Sequence, residues 1–243
     1  LLDYSLMKAS LIIIGNEILS GRTQDKNLSY LATWLNEIGI QLSEVRVVRD
    51  EEDEIVDTVN LLRKKYDYVF TTGGIGPTHD DITSESIAKA FNVDLETNPQ
   101  ALAILKDYYK DSELTEARLK MTKIPKGAEL VENPVSKAPG FKIENVFVMA
   151  GIPKIMQGML EGAKIHLSGG EPMKSESVDV FMPESFIAEE LSNLQNKFKD
   201  VEIGSYPFVK DGKYGTSLVM RSSDKAKLSD CRSQMELMIS KLV

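Results

Sequence analysis

Three times in the first ninety residues, a short apolar run gives way to a polar turn and then to apolar positions at helical spacing. Ser10 to Ile14 (SLIII) predicts a buried strand ended by Gly15. Leu28, Leu31, Leu35 and Ile38, with Trp34 on the same side, predict a helix of about three turns with Gly39 as its C-cap. Gln41 to Val48 alternates as a second strand, and Asp53 to Lys65 places Ile55, Val59 and Leu62 on one helical face. Tyr68 to Thr72 is β-branched or aromatic and unbroken by charge, as a strand covered on both faces requires. Thr83 then opens a helix whose Ile87, Ala88 and Phe91 form its buried stripe. Strand and helix alternating at this spacing predict a parallel α/β sheet with right-handed crossovers.

Beyond it, the pattern predicts helices over Pro99–Tyr109 and Glu113–Lys123, a turn-rich stretch from Pro125 to Phe141, a strand over Asn145–Met149 and a helix over Lys154–Lys164. Ser168 to Pro172 (SGGEP) breaks the composition and sets a boundary between domains 8–167 and 173–243. The second domain reads strand (Val178–Met182), helix (Pro183–Phe198), strand (Val201–Tyr206), an Asp211-Gly212 hairpin turn, strand (Tyr214–Arg221) and helix (Asp224–Lys241). That order predicts a small α+β layer of the split βαβ or KH-like kind.

Composition narrows the function. Hydrophobic residues make up 42% and charged residues 27%, and the net charge of -8 excludes a sequence-independent nucleic-acid binder. No apolar run reaches membrane-spanning length. The opening LLDYSL lacks a basic segment and does not read as a signal peptide; Met7 is the expected start. Cys231, the single cysteine, reads as a core filler, so a disulfide framework is excluded and a reducing, cytoplasmic compartment is expected. His79 and His166 are too few for a His-rich zinc site or a Ser-His-Asp or Cys-His arrangement; His79 either shuttles a proton beside Asp80 or is a bystander.

The candidate chemistry sits in four polar turns at predicted strand ends: GNEILSGRTQDKN, RDEED, GGIGPTHDD and the AGIP containing Gly151. In an open parallel sheet, ligands collect there. Gly73, Gly74 and Gly76 can bare N–H groups to a phosphate beside the start of a helix, with Thr78 and Thr83 in support; the alternative is a tight ligand-free connection. Asp80 and Asp81 would repel a bare phosphate and call for a bridging cation, although helix capping accounts for one of them. Glu17 with Asn16 is either functional or a surface loop, Asn27 a ligand or an N-cap, and Asp50 a third carboxylate or the start of a solvated acidic run. Lys137, between a proline turn and Gly140, is a phosphate-binding cation or a solvated lysine, and Arg22 is a similar case.

With GNEILSGRTQDKN, TTGGIGPTHDDIT, NPVSKAPGF and MAGIP in this order, the chain resembles the molybdopterin-binding domain family of molybdenum-cofactor biosynthesis. It is most similar to the competence- and damage-inducible A proteins and to the pterin-binding-like half of eukaryotic FAD synthases. The resemblance implies a three-layer α/β/α sandwich with a mostly parallel sheet, in a homo-oligomer (dimer or trimer), followed by a small α+β domain. It implies a small-molecule pterin or nucleotide ligand. In the cofactor-synthesising members, an acid at the position of Asp81 helps bind metal during adenylylation of molybdopterin, and Asp50 matches the second acid. The competence-inducible branch implies a divalent-cation-dependent (Mg, Mn or Co), potassium-stimulated hydrolase of nucleotide pyrophosphates such as ADP-ribose, with FAD as another substrate. On that reading Asp50, Asp80 and Asp81 hold the metal, Glu17 is the general base, and Gly15, Asn16, Asn27, Gly73, Gly74, Gly76, Thr78, Thr83, Lys137, Gly140 and Gly151 surround the ligand. Asn16 stands where the family more often has Asp, which removes one charge. The amidohydrolase domain of longer relatives and the FAD-synthesising half are absent from the sequence, so nicotinamide-nucleotide deamidation is not expected.

Overall fold

A computed structural model describes residues 7–242, so the readings of LLDYSL fall outside the described residues. The chain divides into two compact units at Gly170/Glu171.

The first unit runs, in chain order, β1 (Met7–Ile14), α1 (Asn16–Leu19), α2 (Asn27–Glu37), β2 (Ile40–Val48), α3 (Glu52–Leu62), β3 (Tyr68–Thr72), α4 (Thr83–Phe91), β4 (Leu95–Thr97), α5 (Pro99–Tyr108), α6 (Glu116–Lys120), β5 (Lys123–Pro125), β6 (Glu129–Val131), β7 (Gly140–Ile143), β8 (Val146–Met149) and α7 (Pro153–Ala163). Six strands form one sheet in the order β2-β1-β3-β8-β7-β6. The first four run parallel; β7 pairs antiparallel with β8 and β6 antiparallel with β7, so β7 is the strand that runs against the rest. Both faces are covered, which is why the strands carry apolar runs instead of alternation. On one face, Leu31, Trp34 and Leu35 of α2 and Met156, Met159 and Leu160 of α7 bury Leu11, Ile13, Phe70 and Phe147. On the other, Ile55, Val59 and Leu62 of α3 and Ile87 and Ala90 of α4 bury Ile12, Ile14, Val69 and Val148. This is the three-layer α/β/α sandwich.

The departures lie where elements are short. The stretch from Pro125 to Phe141, expected to be irregular, contains β6 and the start of β7. The helix expected over Glu113–Lys123 spans only Glu116–Lys120, because Lys123 begins the β5 strand that pairs with β4. Everything between β4 and β5 therefore leaves the sheet as a helical flap.

The second unit contains β9 (Lys174–Val180), α8 (Ala188–Lys197), β10 (Glu202–Lys210), β11 (Lys213–Ser222) and α9 (Lys225–Ser240). Its antiparallel sheet has the order β10-β11-β9, and Leu218, Met220 and Val180 pack with Leu194, Leu228, Cys231 and Met235. The helix expected from Pro183 instead opens with a separate 3₁₀ turn, Glu184–Phe186.

Candidate functional site

Strand order reverses direction beside β1: β2 lies on one side of it and β3 on the other. Such a switch point opens a crevice at the carboxyl ends of the strands. A cavity of about 650 Å³ occupies that place, bordered by Ile14 at the end of β1, Asp50 after β2, Gly73 to Pro77 with Asp80 and Asp81 after β3, and Ala150 to Pro153 after β8.

The glycine turn is shaped by contacts that only its residues allow. Gly73 has φ +107°, and a Cβ there would lie 2.1 Å from the Ile14 carbonyl oxygen. Gly74, at φ +69°, would meet the Thr83 hydroxyl at 2.1 Å. Thr83 is fully buried and holds the turn twice: its Oγ1 donates to the Gly73 carbonyl at 2.9 Å, and its N–H to the Gly74 carbonyl at 2.9 Å. The Gly73 N–H donates to the Met149 carbonyl. Among the described residues, no protein acceptor engages the N–H groups of Gly74, Ile75 and Gly76.

The acids divide by task. Asp81 folds back on its own turn and accepts from the Thr78 N–H at 2.8 Å and from the Thr78 hydroxyl. Asp50 accepts from the Asn16 N–H at 2.9 Å, which ties β2 to the start of α1. Asp80 is exposed; the adjacent Thr78 hydroxyl, whose proton goes to Asp81 in this geometry, its own N–H and the positive charge of His79 and Lys120 hold its carboxyl below the ordinary value. Glu17, Asp50, Asp80 and Asp81 all line the cavity. They do not gather as a metal centre: among the described residues no three His, Cys, Asp or Glu side chains form a group that could hold an ion. Turn capping holds Asp81 in place, and the Asn16 contact holds Asp50.

At the start of α4, Ser84 and Glu85 do not border the large cavity. With Ile75, Gly76, Asp81 and Lys120 they line a separate space of about 10 Å³, so the glycine turn borders both.

Of the remaining candidates, Gly151 lines the cavity, and Asn27 supports it from behind, donating from Nδ2 to the Gly151 carbonyl at 2.8 Å. Gly15 donates its N–H to the Val48 carbonyl, and Gly140 sits against the Val148 carbonyl within the sheet; neither borders the cavity. Lys137 is exposed, and Arg22 lies on the exposed loop after α1; neither borders the cavity. Lys137 adopts φ +63° at the tip of a turn closed by Asn133.

Several lining residues were not singled out from the sequence: Thr23, Tyr109, Met121, Asn133 and Ser136. Asn133 is nearly buried and saturated. Its Nδ2 donates to Ser136 Oγ at 2.6 Å and to the Ala138 carbonyl at 2.7 Å, and its Oδ1 accepts from the N–H groups of Val135 and Ser136. It fixes the turn that carries Ser136 and Ala138 to the cavity wall. An Asn-Pro pair signals such a turn in the sequence.

The family described as "Probable molybdopterin binding domain" matches residues 10–167, and the one described as "FAD synthase, middle domain" matches 172–243. A protein of Archaeoglobus fulgidus is 36% identical over 239 residues, which cover 96% of this chain and 99% of that protein. One of Sulfurisphaera tokodaii is 38% identical over 210 residues, covering 82% of this chain and 80% of its own. Among solved structures, CinA of Thermoplasma acidophilum is 39% identical with a TM-score of 0.62, covering 65% of this chain and 96% of that chain. With the glycine turn at the switch point and the three-layer sandwich in place, the chain belongs to the molybdopterin-binding domain family, in its CinA-like branch.

Proposed function

We propose that the cavity binds a phosphate-bearing nucleotide or pterin, with the phosphate against the glycine turn. One observation carries the reading: the N–H groups of Gly74, Ile75 and Gly76 have no protein acceptor, and these residues line a cavity of about 650 Å³. That volume suits a nucleotide-sized ligand, and unengaged backbone N–H groups in a turn are the usual protein partner of phosphate oxygens. The wall supplies apolar surface for a ring system through Ile75, Tyr109, Met121, Ile152 and Ile155.

A second reading, hydrolysis of a nucleotide pyrophosphate such as ADP-ribose or FAD, is favoured by the acids. Glu17, Asp50 and Asp80 line the cavity that takes the phosphate, and Asp80 is kept ionised. A divalent cation would supply charge neutralisation there, although among the described residues no three acid, His or Cys side chains form a group that could hold it unaided. Adenylyl transfer to molybdopterin belongs to the same set of reactions.

Calorimetric titration of the protein with ADP-ribose, FAD and molybdopterin tests the first reading. Repeating it with Mg, Mn or Co and potassium, while following AMP release by chromatography, tests the second. Saturable binding is expected in wild type. Cation-dependent AMP release lost in Asp80→Asn establishes the hydrolase. Absence of binding by all three ligands overturns both readings.

A further inference from the structure

The flap between β4 and β5 contributes Tyr109 and Met121 to the cavity wall. Its neck is closed by the β4–β5 pairing and by the Asn98 N–H donating to the Thr122 carbonyl at 2.9 Å. Its far end is fixed to the phosphate turn: Lys120 Nζ donates to the Thr78 carbonyl at 2.8 Å. The flap is therefore clamped over the switch-point crevice at two places.

Tyr109 is the aromatic group the flap brings to the cavity. Arg118 from α6 lies over its ring at 4.0 Å from the centroid, and Tyr108 meets it in a T-shaped contact at 4.8 Å. Arg118 is itself anchored, donating to Ser112 Oγ at 3.2 Å and to the Glu113 carbonyl. A planar cation thus covers the ring of Tyr109, which is half-buried and lines the cavity. No hydrogen bond engages the Tyr109 hydroxyl among the described residues, so the ring is placed by stacking alone. A preorganised aromatic wall of this kind stacks planar heterocycles with little entropic cost, whereas a ring-free phosphate ester makes no use of it.

We propose that Tyr109, positioned by Arg118, is the wall against which the ligand's planar ring packs, so the site selects base-bearing phosphates over ring-free ones. The proposal rests on the phosphate-site reading and extends it to the substrate class. Lys120 makes the two ends of the site one unit, since it joins the ring-bearing flap to the turn that receives phosphate.

The test compares AMP with ribose 5-phosphate, which differ by the base alone, in calorimetric titrations of the full chain. Wild type is expected to prefer AMP. Tyr109→Leu, which keeps apolar bulk, should reduce the AMP to ribose 5-phosphate affinity ratio about tenfold, near the low end of what a base–aromatic stack contributes. Tyr109→Phe should leave the ratio at the wild-type value, because the hydroxyl has no partner. Arg118→Ala should lower the ratio in the same direction, and Arg118→Lys should recover it only in part, because an ammonium cannot stack as a plane. An unchanged ratio in Tyr109→Leu, or equal losses for both probes, overturns the assignment. Failure of wild type to bind either probe instead overturns the phosphate-site reading on which it rests.

Discussion

Gly73 shows how a single position decides whether the site can exist. Its φ of +107° is closed to side-chain-bearing residues, and the Ile14 carbonyl occupies the space a methyl would need. Gly73→Ala is expected to cost at least about 3 kcal/mol, read as a lowered denaturant midpoint. Thr83→Val keeps the shape but leaves the Gly73 carbonyl without its donor; a loss of about 1–3 kcal/mol is expected by the same measurement. Away from the site, Glu44 carries a pH signature. Hydrogen bonds from Lys65 at 2.6 Å, Tyr66 at 2.7 Å and Arg46 at 2.8 Å pull its pKa from 4.5 to about 2. Because the folded value lies below the unfolded one, that stabilisation is complete above pH 4.5 and is lost as pH falls toward about 2. Acid titration of stability should show this fall in wild type and a shallower one in Glu44→Gln. At this scale, the glycines and acids of the turn were legible because glycine and paired carboxylates are conspicuous in a sequence. Their partners were not: Asp81 turning onto Thr78, and Asn133 saturating its own turn, are fixed by backbone geometry that residue types alone do not specify.

The long elements follow from periodicity. α3 and α4 carry enough apolar positions for a helical period to emerge and are buried on that face, while β1 and β3 stand out as unbroken apolar runs buried on both faces. β4, β5 and β6 have three residues each, too few to alternate visibly, and Pro and Gly between Leu130 and Phe141 mask β7. The flap was missed as a site element for that reason. Without β4 and β5 as its neck, α5 and α6 read as two unconnected amphipathic helices. Asn98 caps α5, its side chain accepting from the N–H groups of Gln100 and Ala101 at 3.0 Å. Asn98→Ala should loosen the flap at a cost of about 1 kcal/mol. Hydrogen exchange should then speed up in residues 99–109 more than in α3 or α4; uniform acceleration would mean that the flap is not a separate element.

At the scale of the whole chain, the architecture gathers residues from five separate turns and the flap, between Ile14 and Ile155, into one cavity at the sheet's switch point. The second unit has its own core, with Leu218, Met220, Leu228, Cys231 and Met235 all at or near full burial. Burial also pushes the Cys231 thiol up to about 11, which fits packing and not reactivity. Residues 171–243 expressed alone are expected to unfold in a single cooperative transition. Among the described residues no helix is long and apolar enough to cross a membrane.

The account's central claim is that the N–H groups of Gly74, Ile75 and Gly76 receive the ligand's phosphate. The most direct measurement follows the amide resonances of the isotope-labelled 243-residue chain during titration with ADP-ribose. Saturable shifts at Gly74, Ile75 and Gly76, with smaller ones at Tyr109 and Gly151, are the expected result. Saturable binding that leaves these three amides unmoved would contradict it.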